Sequence, residues 1–159
     1  DIKTASIHYH FPGKAALGVA LMQRYTKTLG DELRALRESN LTACQQLERV
    51  IARYRKALNG GDTMCLCVAM SVSRDNLAKP IVAEMRAFRK MMLDWLTELF
   101  EQAEIDKSLS ATANPATQAA ATLALLEGAQ LIAHTENDPG RFDMATRALL
   151  ADTRRSEPF

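Results

Sequence analysis

The chain is expected to be all-α, on three observations. Apolar residues recur at three- and four-residue steps through nearly all of its 159 residues. No segment sustains the two-residue alternation of β-branched residues that marks a half-buried strand. Prolines, glycines and capping residues fall between the periodic segments, where helices must stop and restart.

The opening segment reads as a short helix of about two turns, closed by a break at Pro12-Gly13. From Lys14 the positions Leu17, Leu21, Tyr25, Leu29, Leu33 and Leu36 predict one long amphipathic helix to about Arg37, ended by Ser39-Asn40. Thr42 with Gln45 has the capping-box form, and Cys44, Leu47, Ile51, Tyr54 and Leu58 mark the inner face of a second helix that stops at Gly60-Gly61. A shorter helix is expected over 64–73, capped by Asp62 or Thr63. Pro80 suits the first turn of a long helix whose stripe runs Ile81, Met85, Phe88, Met92, Trp95, Leu99 and Ala103. Asn114-Pro115 opens a helix reaching about His134, and a last helix follows the Asp138-Pro139-Gly140 turn over 142–153.

The helix opened by Pro115 differs from the others. Glu127 is its only charged residue, and Leu123, Leu125, Leu126, Leu131 and Ile132 point in every direction. A helix apolar all round must be covered on more than one side. The second cover is either the core of a monomer or another subunit packing near Ala119, Ala120, Leu123, Ala124, Gly128 and Ile132, with Leu149 from the last helix. Twofold pairs are the commonest oligomers, so a homodimer is expected.

Composition narrows the function. With 47% hydrophobic and 25% charged residues, this is the makeup of a globular domain. No apolar run approaches the ~20 residues that span a bilayer, and the start lacks the apolar core of an export signal, so the cytoplasm is expected. The net charge of +1, from 20 basic and 19 acidic residues, advertises no broad nucleic-acid surface. The three cysteines, Cys44, Cys65 and Cys67, lack metal-site spacing, and no cofactor motif appears. Paired carboxylates, a nucleophile-base set and a phosphate-binding glycine loop are absent, which argues against an enzyme.

The densest motif lies at residues 4–14, TASIHYHFPGK. On a helix His8 and His10 diverge by about 200°, so they do not share one metal. Ser6-Ile7-His8-Tyr9-His10-Phe11-Pro12-Gly13-Lys14 resembles the end of the DNA-binding domain of TetR/AcrR-type bacterial transcriptional regulators, and the all-α remainder is similar to their regulatory domain in helix order. The resemblance implies a TetR-like architecture in which residues 1–30 are the C-terminal part of a helix-turn-helix domain, whose first helices lie outside this sequence. Residues 31–159 are then a ligand-binding and dimerisation domain, joined to it by the long helix. It further implies operator contacts by Lys3, Thr4, Ala5 and Ser6 at the recognition-helix start, and by His8, Tyr9, His10 and Lys14 on the DNA backbone.

The same resemblance implies an effector pocket among the middle helices. Its expected lining is Met22, Tyr25, Tyr54, Cys65, Met70, Phe88, Met92, Trp95, Leu126, Gln130 and His134, rich in soft and aromatic groups that suit a small apolar or aromatic effector. Cys65, within the stretch TMCLCV, is similar to a cysteine in electrophile-sensing members of the family, and a helix N-terminus favours its thiolate. Inert packed thiols are the competing reading. The function expected is therefore a homodimeric, effector-released repressor of operator DNA. The alternatives are an electrophile or redox sensor working through Cys65, and a structural helical dimer that binds no DNA.

Overall fold

The computed structural model describes residues 11–110 and 113–150, and these are helices and their connections without a strand. Among them are α1 (Lys14–Arg37), α2 (Ala43–Ala57), α3 (Leu66–Val72), α4 (Lys79–Asp106), α5 (Pro115–Thr135) and α6 (Pro139–Thr146), with 3-10 turns at Asn59–Gly61, Arg74–Asn76 and Arg147–Leu149. The expected recognition helix, with Lys3, Thr4, Ala5, Ser6, His8, Tyr9 and His10, lies outside the described residues. So does the expected end of the last helix beyond residue 150.

Local chemistry accounts for most boundaries. Thr42 and Gln45 form the capping box of α2, each side chain bonded to the other's backbone N–H. The two N–H groups before Gln45 are capped from far along the chain, Ala43 by Asp106 at 2.8 Å and Cys44 by Ser108 at 3.0 Å. Asn114 caps α5 through Thr117 N–H, with Pro115 in the first turn, and Asp138 caps α6 through Gly140 N–H. Lys107 ends α4 in the left-handed region, its N–H donating to Ala103.

Two boundaries differ from expectation. The short helix starts at Leu66, because the Thr63 hydroxyl turns back to the Ala57 carbonyl at 2.7 Å and closes α2 instead of opening α3. The last helix begins at Pro139 rather than at 142 and tightens into a 3-10 turn at Arg147.

The central helix is α4, flanked by α1, α2 and α5, with α6 laid on α5. All seven stripe residues expected on α4 are buried, joined by Leu96 and Phe100. On α2 the inner face is rotated by about one position: Ala43, Gln46, Leu47, Val50 and Tyr54 are buried, while Cys44 and Ile51 sit at its edge. On α1 the first turns are also turned, with Gly18 and Met22 buried and Leu21 45% exposed. The cause is a close crossing: a Cβ at Gly18 would stand 2.6 Å from Ile81 Cδ1. Gly18→Ala is expected to destabilise the fold by about 1–3 kcal/mol by overpacking, and Ile81→Val to relieve part of it; urea unfolding of both variants and the double variant checks this.

Glu127, the charge on α5, is paired within the subunit. Arg89 of α4 grips it at 2.8 Å (Nη2 to Oε2), and the same Nη2 donates to Ser71 Oγ of α3 at 2.9 Å. Three helices thus meet at one guanidinium fork. On the rest of α5, Ala119 and Leu123 are buried in the subunit's own core, which removes them from the expected dimer surface. Ala120, Ala124, Gly128, Leu131 and Ile132 form an exposed face, with Leu131 and Ile132 at 42% and 53%. Met144 of α6 is 63% exposed, and Leu149 is half-buried against the core. Among the described residues, no helix is long and apolar enough to cross a membrane.

Candidate functional site

The residues expected to line one pocket divide among two cavities and solid core. The first cavity, of about 400 Å³, opens between α1, α2 and α4. From α1 come Leu29, Leu33, Ala35 and Leu36; from α2, Val50 and Tyr54; from α4, Met92. Its walls are almost wholly apolar, and the polar groups beside it are Glu32, Arg49 and Arg53, with Glu32 and Arg53 paired at 3.0 Å. This size and lining are those of a small-molecule site.

A second cavity of about 420 Å³ is bounded by Tyr25, Met64, Cys65, Leu66 and His134, with Arg53 again on its edge. Three of the expected lining residues, Tyr25, Cys65 and His134, meet here. The Tyr25 hydroxyl donates to Cys65 Sγ at 3.2 Å, and its ring lies 5.4 Å from the Phe88 ring. His134 Nδ1 is 2.7 Å from the Gly61 carbonyl; since a carbonyl only accepts, Nδ1 carries the proton and Nε2 is left as the ring's second site.

The remaining expected lining residues do other work. Met22, Phe88 and Leu126 are fully buried core, and Met70 lies half-buried outside both cavities. Trp95 donates its indole N–H to the Leu33 carbonyl at 3.0 Å and carries the Arg37 guanidinium over its ring at 5.1 Å. Gln130 was expected to orient an effector, yet both ends of its amide are engaged. Its oxygen accepts the Cys65 N–H at 3.1 Å and its nitrogen donates to the Tyr54 carbonyl at 2.7 Å. Among the expected polar groups, the Tyr54 hydroxyl is buried without a partner among the described residues, and burial holds its pKa well above the usual tyrosine range.

At Cys65 burial favours the packed-thiol reading over the reactive one. The residue precedes α3, where a helix dipole would lower the thiol pKa, but the helix has 7 residues and the side chain is 2% exposed. Burial outweighs the Tyr25 hydrogen bond and raises the thiol; the same effect pushes Cys67 up to about 12. Both are therefore thiols at neutral pH. Iodoacetamide is expected to label Cys65 in the folded chain at least about tenfold more slowly than in the unfolded chain, with the rate rising only above the ordinary thiol range. Peptide-resolved mass spectrometry measures this, and fast labelling at neutral pH would contradict the burial argument.

The apolar periodicity places Leu29, Leu33 and Leu36 on the stripe of the long helix and does not single out Glu32, Arg49 or Arg53. Apolar periodicity identifies an inner face but does not distinguish a packed face from one that borders a void. The i,i+4 spacing of Arg49 and Arg53 was the available signal.

Lys14 is exposed at the first turn of α1, free of any role in either cavity.

No protein-family model and no curated protein matches the chain. Among solved structures, it is similar to a TetR-family transcriptional regulator from Agrobacterium tumefaciens, at 27% identity over 94% of this chain and 80% of that one, with a TM-score of 0.86. It is also similar to a TetR transcriptional regulator from Legionella pneumophila, at 25% identity over 93% of this chain and 78% of that one, TM-score 0.82. The reduced form of NemR from E. coli shares the fold at 22% identity, covering 93% and 78% of the two chains, TM-score 0.78.

Proposed function

We propose that this chain, which has the fold of the TetR-family transcriptional regulators and resembles them in its opening motif, is a homodimeric repressor released from operator DNA by a small, largely apolar effector. The observation that carries the reading is the apolar cavity of about 400 Å³ bounded by α1, α2 and α4. The helix α1 contributes four of its apolar lining residues and continues directly from the HYHFPGK segment, so whatever fills the cavity bears on the helix leading to the DNA reader. An effector acts by preferring one position of α1, and it lowers operator affinity only by that difference in binding.

The dimer reading is supported by the exposed apolar face of α5 with Met144. A Cβ at Gly128 would meet nothing within 4 Å in its own subunit, so a side chain there disturbs only what lies outside. Gly128→Glu is expected to leave the circular dichroism spectrum intact and convert a dimer to monomer in analytical ultracentrifugation; an unchanged dimer would remove this face as the interface.

The assigned DNA contacts are Lys3, Thr4, Ala5, Ser6, His8, Tyr9, His10 and Lys14. Selection from a random duplex library by the protein should enrich a sequence with two related half-sites. Enrichment of nothing would leave the structural-dimer alternative standing. The electrophile-sensor alternative at Cys65 is opposed by its burial and raised pKa.

A further inference from the structure

We infer that the occupant of the cavity between α1, α2 and α4 is an amphipathic anion, an apolar body with a carboxylate or similar acidic head, and that Arg49 receives the head. This rests on the cavity being an effector site and names the effector's chemical class. The walls supply the first half: Leu29, Leu33, Leu36, Val50 and Met92 offer an apolar body contacts and no hydrogen bonds.

The mouth supplies the second half. Arg49 and Arg53 are four positions apart on α2, so their guanidinium groups stand on one face, a like-charge arrangement that is unfavourable on a helix unless compensated. Glu32 of α1 compensates Arg53, with Nε to Oε2 at 3.0 Å. Arg49 has no hydrogen bond or ion pair among the described residues, and it borders the cavity. The cavity edge thus carries one carboxylate, already paired with Arg53, and two guanidiniums, a net positive charge beside an apolar space.

A neutral apolar ligand leaves that charge as it is, whereas a carboxylate seated beside Arg49 accepts a charge-assisted hydrogen bond there and relieves the repulsion between the two arginines. A cationic amphiphile meets the opposite sign of field. Because Arg53 also edges the cavity containing Cys65 and Tyr25, an anion that draws Arg53 from Glu32 changes a contact between α1 and α2.

The test compares octanoate with octan-1-ol, which share a body and differ in the head, by isothermal titration calorimetry on the 159-residue chain. Octanoate is expected to bind at least about tenfold more tightly, the size of one charge-assisted hydrogen bond. In Arg49→Gln, an exposed substitution, that preference should fall to within about twofold. Ala35→Trp, which places an indole in the mouth, should abolish binding of both. Equal affinity of the two probes, or a preference that survives Arg49→Gln, overturns the anion inference and leaves the apolar effector site standing. Binding of neither probe, or binding unaffected by Ala35→Trp, overturns both.

Discussion

Replacing Gln130 with leucine is expected to lower the unfolding free energy by about 3–5 kcal/mol, even though leucine fills nearly the same volume. The reason is what the amide joins. The last turn of α2 tightens, with Leu58 N–H donating to Arg55, so the Tyr54 carbonyl loses its usual partner four residues on. The Cys65 N–H stands just outside α3 and has none within that helix. The fully buried Gln130 satisfies both, and each group left bare in the interior costs about 1–3 kcal/mol. Urea denaturation checks the value. A loss under about 1 kcal/mol would mean that the two backbone groups find other partners, and the cross-link would lose its structural standing.

Phe88→Ala is expected to cost about 3–5 kcal/mol, through lost burial and the cavity left behind. Phe88 is fully buried on α4, and its ring packs at 39° to the ring of Tyr25 on α1. Its removal therefore also loosens the side chain that donates to Cys65. Two readouts follow from one substitution: a lower unfolding midpoint, and faster alkylation of Cys65 under native conditions. Phe88→Leu should recover more than half of the stability, because it restores most of the buried volume. Destabilisation without any change at Cys65 would show that Tyr25 is held by its other neighbours.

The α4 stripe, Phe88 included, was legible residue by residue because this helix packs one continuous face inward. On α1 the same reading failed over the first turns. Gly18 carries no apolar side chain to count, yet it is the point where Ile81 comes closest, so Gly18 and Met22 turn inward and Leu21 outward. On α5 periodicity was silent because both faces are apolar. Ala119 and Leu123 belong to the subunit's core while Ala120, Ala124, Gly128 and Ile132 look out, and nothing in their side-chain chemistry separates the two sets.

The candidate site was legible in part. Tyr25, Cys65 and His134 border one cavity as expected, and Tyr54 and Met92 border the other. Trp95 and Gln130, the most conspicuous aromatic and amide in the pattern, bind backbone carbonyls and an amide N–H instead. Arg49 and Arg53 passed as ordinary surface charges until the void beside them was visible.

By itself the sequence determined most of the helices and their punctuation: the capping box at Thr42, the cap at Asn114, Pro80 and Pro115 in first turns and the inward stripe of α4. These rest on hydrogen bonds and steric limits that act within a turn or two of chain. The tertiary structure alone decided where space remains between helices, which buried polar groups have partners, and which guanidinium is uncompensated. Those outcomes depend on groups such as Cys65 and Gln130, or Tyr54 and Gln130, separated by 65 and 76 positions and brought within 3.1 Å and 2.7 Å only by the packing of the whole. No spacing rule along one helix carries that distance.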